Sequence, residues 1–294
     1  MKENIVSLNK KRILSSFGLV FITIIWGSSF VVMKNSVSQI SPIYLMAIRF
    51  SIGGLVLVAI FFPRLKSINR SIIWPGIVCG FWLSISYIIQ TYGLKYTTAS
   101  NNAFITTLYV INVPFLNFLF YRVQIHKKSI FAAVLAIVGI GFLSLNGGIS
   151  HVNIGDILTL ICSFCYGMQI LYIDTYTKKH DPINLTIIQL PCAAIICWIL
   201  AFVLEGRLSL NVFSYDLVGS LLYLGIFASA ICFSIQNIGQ KYVPPATASI
   251  LLSLESVFGV IFAIALLGEP LTIRILIGFI LIFIAVLLSE SNKS

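Results

Sequence analysis

Charge is scarce in this chain. Only 10% of its 294 residues are Asp, Glu, Lys or Arg, while 59% are hydrophobic. A soluble domain carries about 25% charged residues, so the composition excludes a water-covered surface and implies one covered by lipid. Histidine is rarer still: His126, His151 and His180 all fall in connections between apolar runs. There is no HExxH, no GxSxG and no phosphate-binding glycine loop, nor a pair of aspartates inside an apolar run. No polar stretch is long enough for a separate ATP-handling domain. Hydrolytic, metal-dependent and ATP-driven chemistry thus lack a sequence basis, and no enzyme activity, cofactor or metal is expected. Short alternating segments are also missing, which argues against a spanning β-barrel.

Apolar sequence comes instead in ten long runs, over 13–33, 43–62, 72–94, 98–121, 129–146, 154–174, 183–204, 216–239, 246–267 and 272–289. Each is about as long as a helix needs to be to cross roughly 30 Å of hydrocarbon. The expected fold is an all-α integral membrane protein of ten transmembrane helices. Pro42, Pro63, Pro75, Pro182, Pro244, Pro245 and Pro270 fall between runs or in a first turn, where a missing N–H is harmless. Pro114 and Pro191 sit deep within runs. Packing is the expected role of Pro191; at Pro114 a packing kink and a hinge both stay open. The first run follows Lys10, Lys11 and Arg12, but it is too long for a signal peptide and is expected to stay as the first span.

Placing the N-terminus in the cytoplasm and alternating puts fourteen Lys and Arg on the inside and four (Lys34, Lys95, Arg207 and Arg274) on the outside. That is a positive-inside bias. It accounts for the net charge of +10 without nucleic acid as a partner; membrane lipids are the partner implied. Both termini are expected in the cytoplasm of a bacterial inner (plasma) membrane.

One phrase is written twice. "QTYGLKY" (Gln90 to Tyr96) returns 146 residues later as "QNIGQKY" (Gln236 to Tyr242), at the ends of the third and eighth runs. The copies are five runs apart, an odd number, so they point in opposite directions. "WGSSF" at Trp26 corresponds to "YGMQI" at Tyr166, and Pro42 to Pro182, both at an offset of 140. The chain reads as two inverted five-helix repeats, 13–146 and 154–289, a recurrent plan among secondary transporters.

"WGSSFVVMK" in the first run, "IRF" in the second and "LLSLESVFGVIFAIALLGEPLT" through the last two together resemble the EamA group of the drug/metabolite transporter superfamily. The resemblance covers nearly the whole chain. It implies ten helices and export or exchange of small metabolites by two EamA repeats. The first repeat departs from the pattern: after its fourth run it has "YRVQIHKK" in place of a GE-like turn.

Of nine acidic residues only Glu255 lies deep in a run, about ten residues into the ninth. An intramembrane carboxylate normally faces a cavity or a partner. Glu255 is the candidate for proton coupling; a structural hydrogen-bonding role is the alternative. At the 146-residue offset it falls opposite Tyr109. The other cavity candidates are Trp26, Tyr87, Gln90, Asn102, Thr106, Tyr166, Gln169 and Gln236, whose polar groups either line a passage for a small-molecule substrate or bond between helices. Arg49, about two turns from the outer end of the second run, is read as snorkelling, as making a structural bond, or as a charge at the outer mouth that binds an anionic group. "GIVCG" (Gly76 to Gly80) is a small-residue stripe for close helix contact, and the nearly pure apolar fifth and tenth runs suit a peripheral or homodimer-facing position. All six cysteines fall within the runs, and Cys162 and Cys165 have no nearby His for a metal site. The expected function is secondary-active export or exchange of small metabolites or drugs, amino-acid-like or otherwise polar, by alternating access. A flippase for a lipid-linked sugar, or a non-transporting sensor, is the alternative.

Overall fold

A computed structural model of the protein describes residues 2–122, 124, 127–144 and 153–290, and every regular element among them is helical. In chain order the helices are α1 (Lys2–Ser36), α2 (Pro42–Ile60), α3 (Arg70–Tyr96), α4 (Ala99–Thr106), α5 (Tyr109–Tyr121), α6 (Lys127–Ser144), α7 (Ile154–Thr177), α8 (Pro182–Leu204), α9 (Tyr215–Gly225), α10 (Cys232–Tyr242), α11 (Pro245–Leu267) and α12 (Ile273–Glu290). His126 and His151 lie outside the described residues.

Among the described residues, eight helical stretches are long and apolar enough to cross a membrane. The fifth and tenth runs give shorter apolar stretches within the described residues, Ile130–Gly139 in α6 and Ile273–Ala285 in α12. Two of the eight are composite. Ala99–Phe120 joins α4 and α5 through a tightened turn, where Leu108, Val110 and Ile111 each donate to the carbonyl three residues back. This tightening lies in the two turns before Pro114, whose ring crowds the preceding turn and whose nitrogen has no hydrogen to give. Tyr215–Tyr242 joins α9 and α10 through a π-helical turn at Ile226–Ile231. No proline marks that turn.

Helices pack across the two halves. α1 lies against α11 and α10, α2 against α8, α3 against α7 and α8, and α6 against α12. Exchanging the halves reproduces these pairs: α1 on α11 becomes α7 on α4 and α5, and α1 on α10 becomes α7 on α3. The "GIVCG" stripe seats α3 on α8. A Cβ at Gly76 would stand 2.5 Å from Ile188, and one at Gly80 2.7 Å from the Gln189 carbonyl oxygen. α8 runs unbroken through Pro191, whose ring lies over Gly54 of α2. Exposed Ile, Leu, Val and Phe on α6, α8 and α12 form the outer wall, as lipid-facing surface should.

Candidate functional site

A cavity lies at the centre of the bundle, enclosed by α1, α3, α5, α7, α10 and α11. Its volume is about 30 Å³, room for about two water molecules. Any larger solute needs the helices to part. Twelve of its fourteen lining residues form six pairs related by the repeat offsets. At 140 residues these are Trp26 with Tyr166, Ser29 with Gln169 and Phe30 with Ile170; at 146 they are Tyr87 with Phe233, Gln90 with Gln236 and Tyr109 with Glu255. Met33 and Leu252 complete the wall.

Each pair brings its own chemistry. Tyr109 and Glu255 stand together in the cavity wall, and both are buried. The Tyr166 hydroxyl donates to Gln90 Oε1 at 2.8 Å, and Gln90 Nε2 donates to Thr106 Oγ1 at 3.0 Å. Tyr87 packs edge-on against Tyr166 and Phe233, with centroids 5.3 and 5.9 Å apart. Trp26 lies 5.4 Å from Phe233 and donates its indole N–H to the Ala228 carbonyl in the π-helical turn. The Gln169 amide nitrogen and the Gln236 amide oxygen are buried without a hydrogen-bond partner. Such atoms are costly to leave unmatched. Here they line the cavity, where a polar solute or water would satisfy them.

Eight of the ten sequence candidates meet here: Trp26, Tyr87, Gln90, Tyr109, Tyr166, Gln169, Gln236 and Glu255. Asn102 and Thr106 do not. Asn102 is fully buried between α3 and α7, its amide donating to the Gln90 carbonyl and to Thr159 Oγ1 at 2.7 Å. Thr106 stands behind Gln90 as its acceptor. Both are therefore second-rank supports of Gln90, because the close α3–α4–α7 contact leaves them no path to the cavity. Ser29, Phe30, Met33, Ile170, Phe233 and Leu252 were not singled out from the sequence. The repeat offsets applied to Gln169 and Tyr87 would have found Ser29 and Phe233.

Of the three readings of Arg49 the structural bond matches the geometry, and the snorkelling and mouth-charge readings do not. Its side chain is fully buried. Nε donates to Ser229 Oγ at 2.8 Å, and the terminal nitrogens reach the Ala228 carbonyl at 3.2 Å, Met33 Sδ at 3.2 Å and the Tyr87 hydroxyl at 3.4 Å. The guanidinium also lies 4.5 Å from the Tyr87 ring centroid. The reason is the π-helical turn: its Ala228 carbonyl accepts from both Arg49 and Trp26, which gives the cation polar partners inside the bundle.

A second, larger crevice of about 480 Å³ lies between α5, α6 and α7. Apart from Asn112 its lining is apolar, with Leu108, Phe115, Ile137 and Phe164 among the walls and no basic residue. Asn112 itself donates to Ser163 Oγ. The crevice has no charge to recognise a polar solute, so the small central cavity is the better candidate. Among the described residues no group of three or more His, Cys, Asp or Glu is placed to hold a metal ion.

The sequence profile of the EamA-like transporter family matches residues 14–145 and 153–290. The chain is 34% identical over 278 residues to an uncharacterized transporter of Archaeoglobus fulgidus, covering 95% of this chain and 86% of that protein. It is 24% identical over 282 residues to the uncharacterized transporter YvbV of Bacillus subtilis, covering 94% and 91% of the two chains. A solved crystal structure superposes with a TM-score of 0.68 at 16% identity, covering 94% of this chain and 97% of that one. That last likeness concerns the fold.

Proposed function

The chain belongs to the EamA-like transporter family, and from that premise we propose that it is a secondary-active exporter or exchanger of small polar metabolites or drugs, amino-acid-like compounds among them. It is a multi-pass membrane transporter. The reading adds ten crossings in two inverted repeats, 13–146 and 154–289, that rock about the central cavity. The observation that carries it is the pairing of lining residues: six positions in one half and their six equivalents in the other enclose one space. A site on such an axis can be handed from one face to the other by exchanging the arrangements of the halves. Glu255 is the coupling group, because a carboxyl on that axis can exchange a proton with either side as the cavity opens. Trp26, Tyr87, Gln90, Tyr109, Tyr166, Gln169, Gln236 and Glu255 contact the solute. A bacterial inner membrane, cytoplasmic termini and a homodimer formed through α6 and α12 belong to the same reading.

The test is a resistance screen in an expressing strain, followed by flux of the selected solute in proteoliposomes. Solute-dependent exchange that falls in a Gln169→Ala, Gln236→Ala double variant supports the reading. Exchange that is unaffected by removing both amides places the solute path elsewhere.

A further inference from the structure

The two ends of the bundle are fastened differently. At the end carrying the 37–41, 97–98, 205–214 and 268–272 connections, the second half supplies carboxylates to helix N-termini of the first. Glu205 accepts from the Ile43 and Tyr44 backbone N–H groups, both at 3.1 Å, from the Ser41 hydroxyl at 2.6 Å and from the Tyr92 hydroxyl at 2.7 Å. Glu269 accepts from the Ala99 and Ser100 N–H groups at 2.7 and 3.0 Å. Asp156 accepts from the Thr97 hydroxyl. The first N–H groups of a helix have no partner within it, and a carboxylate there is favoured by both hydrogen bonding and the helix dipole. At this end the partners of Ile43, Tyr44, Ala99 and Ser100 come from across the halves, while Asn101 is capped by Thr98 of its own half.

The repeat offsets show what stands at the other end. Ile183 and Asn184 are the equivalents of Ile43 and Tyr44 at 140 residues, and both donate to Asp181 of their own helix at 3.0 Å. Their cap is internal to one half. At 146 residues, Ala99 corresponds to Pro245, which has no N–H, and Glu269 corresponds to Val123, which has no carboxylate. The alignment is anchored by the backbone: α5 ends at a left-handed Arg122 (φ 58°) and α11 at its equivalent, a left-handed Gly268 (φ 64°). The acceptor and one of the two donors of the Glu269 cap are thus absent in the opposite copy; Ala246, the equivalent of Ser100, keeps its N–H. Ties across the halves at that end, among the described residues, include the exposed Arg64–Asp181 ion pair at 3.3 Å, Asn184 with Ser67 at 3.3 Å and Lys11 over the Tyr242 ring at 5.7 Å.

We propose that Glu205 and Glu269 are one-sided latches: they hold the first-named end closed, so that the cavity opens more readily toward the opposite end. Parting the halves at the latched end strips the Ile43, Tyr44, Ala99 and Ser100 N–H groups of their acceptors and leaves α4 only its Thr98 cap. Parting them at the other end leaves the Asp181 cap in place and breaks the exposed Arg64–Asp181 pair and the part-buried Asn184–Ser67 contact. The inference rests on the transport reading for its purpose, but the latch itself is a conformational property and can be measured without a solute.

The experiment uses the full chain in nanodiscs with spin labels attached through ketone-bearing residues, which leaves the native cysteines in place. One pair, at Asn35 and Leu271, spans the halves at the latched end; a second, at Lys66 and Lys179, spans them at the other. In Glu205→Ala, Glu269→Ala the population with a long Asn35–Leu271 distance is expected to rise about tenfold, with no such rise at Lys66–Lys179. A distance distribution identical to that of the unmodified protein overturns the proposal. If the double variant does not fold, Val123→Glu with Pro245→Ala decides instead, since it leaves the Glu205 and Glu269 caps untouched. A new latch should deplete the long Lys66–Lys179 distances, and an unchanged distribution there overturns the proposal. A shift in distances without solute flux retires the transport reading and keeps the latch; flux with unshifted distances does the reverse.

Discussion

Tyr109 and Glu255 share the wall of the central cavity, and the two residues stand 146 positions apart, the separation that also relates Gln90 to Gln236. On the repeat reading they are the same place in the two halves, one filled by a phenol and the other by an acid. That reading keeps the position and breaks the chemistry at the centre of the cavity. A carboxyl that faces its own symmetry mate can keep that partner in either arrangement of the halves, which suits a group that must change its access without losing its place.

Glu255→Gln is expected to keep the fold and lose the coupling. The amide has nearly the same volume and keeps a polar group beside Tyr109, so stability should change by no more than about 1 kcal/mol. It cannot take up or release a proton. In proteoliposomes, uphill flux driven by a pH gradient should disappear while downhill exchange continues. Wild-type uphill flux in a well-expressed Glu255→Gln protein would assign the residue a purely structural role.

Gln90→Leu tests the network behind the cavity. It leaves the Tyr166 hydroxyl without its acceptor and removes a donor from Thr106. Buried groups stranded in this way cost about 1–3 kcal/mol. A lower thermal midpoint is expected, and Thr106→Val added to Gln90→Leu should cost less than the sum of the two single changes, because the second removes an already stranded group. Additive losses would show that the two side chains act independently.

Repetition made the centre of this molecule legible. The phrase shared by Gln90 and Gln236 and the weaker match of Trp26 to Tyr166 fix two offsets, and those offsets pair most of the cavity wall. Glu255 was readable for a different reason: a lone acid in an apolar run has few places to go. Asn102 and Thr106 misled because helical spacing gives a shared face without saying whether that face meets a cavity or another helix. Arg49 stayed open between a structural bond, snorkelling and a mouth charge because its depth was judged from distance along one helix. The π-helical turn that supplies its acceptors lies 180 residues away, at Ala228 and Ser229, and has no proline to announce it. The cross-half caps were equally hidden, since Glu205 and Glu269 read in sequence as ordinary loop acids.

Orientation is testable at the charged connections. Lys66, Lys95 and Lys241 are all exposed, and the charge bias assigns the first and third to the cytoplasm and Lys95 to the outside. Cysteines introduced singly at these positions, in a cysteine-free variant, should react with an impermeant reagent in intact cells at position 95 only. Reaction at 241 from outside would contradict the inverted arrangement of the repeats.

Arg49 yields a prediction whose order runs against simple conservation of charge. The guanidinium uses two separate nitrogens to hold Ser229 Oγ and the Ala228 carbonyl, and among the described residues no carboxylate pairs with it. Arg49→Lys keeps a buried cation but replaces the planar fork with a compact ammonium on a different reach. It cannot reproduce both bonds, and a buried charge with fewer partners is expensive, so a loss of about 3 kcal/mol is expected. Arg49→Met removes the charge and strands no counter-ion. Ala228 keeps the Trp26 indole as a donor, and the thioether fills much of the same volume, so the loss should be about 1 kcal/mol. Thermal midpoints in detergent should therefore fall in the order wild type, Arg49→Met, Arg49→Lys. A snorkelling arginine would tolerate lysine better than methionine, because either cation could reach the surface. Finding that order would mean that the side chain leaves the bundle interior in the membrane.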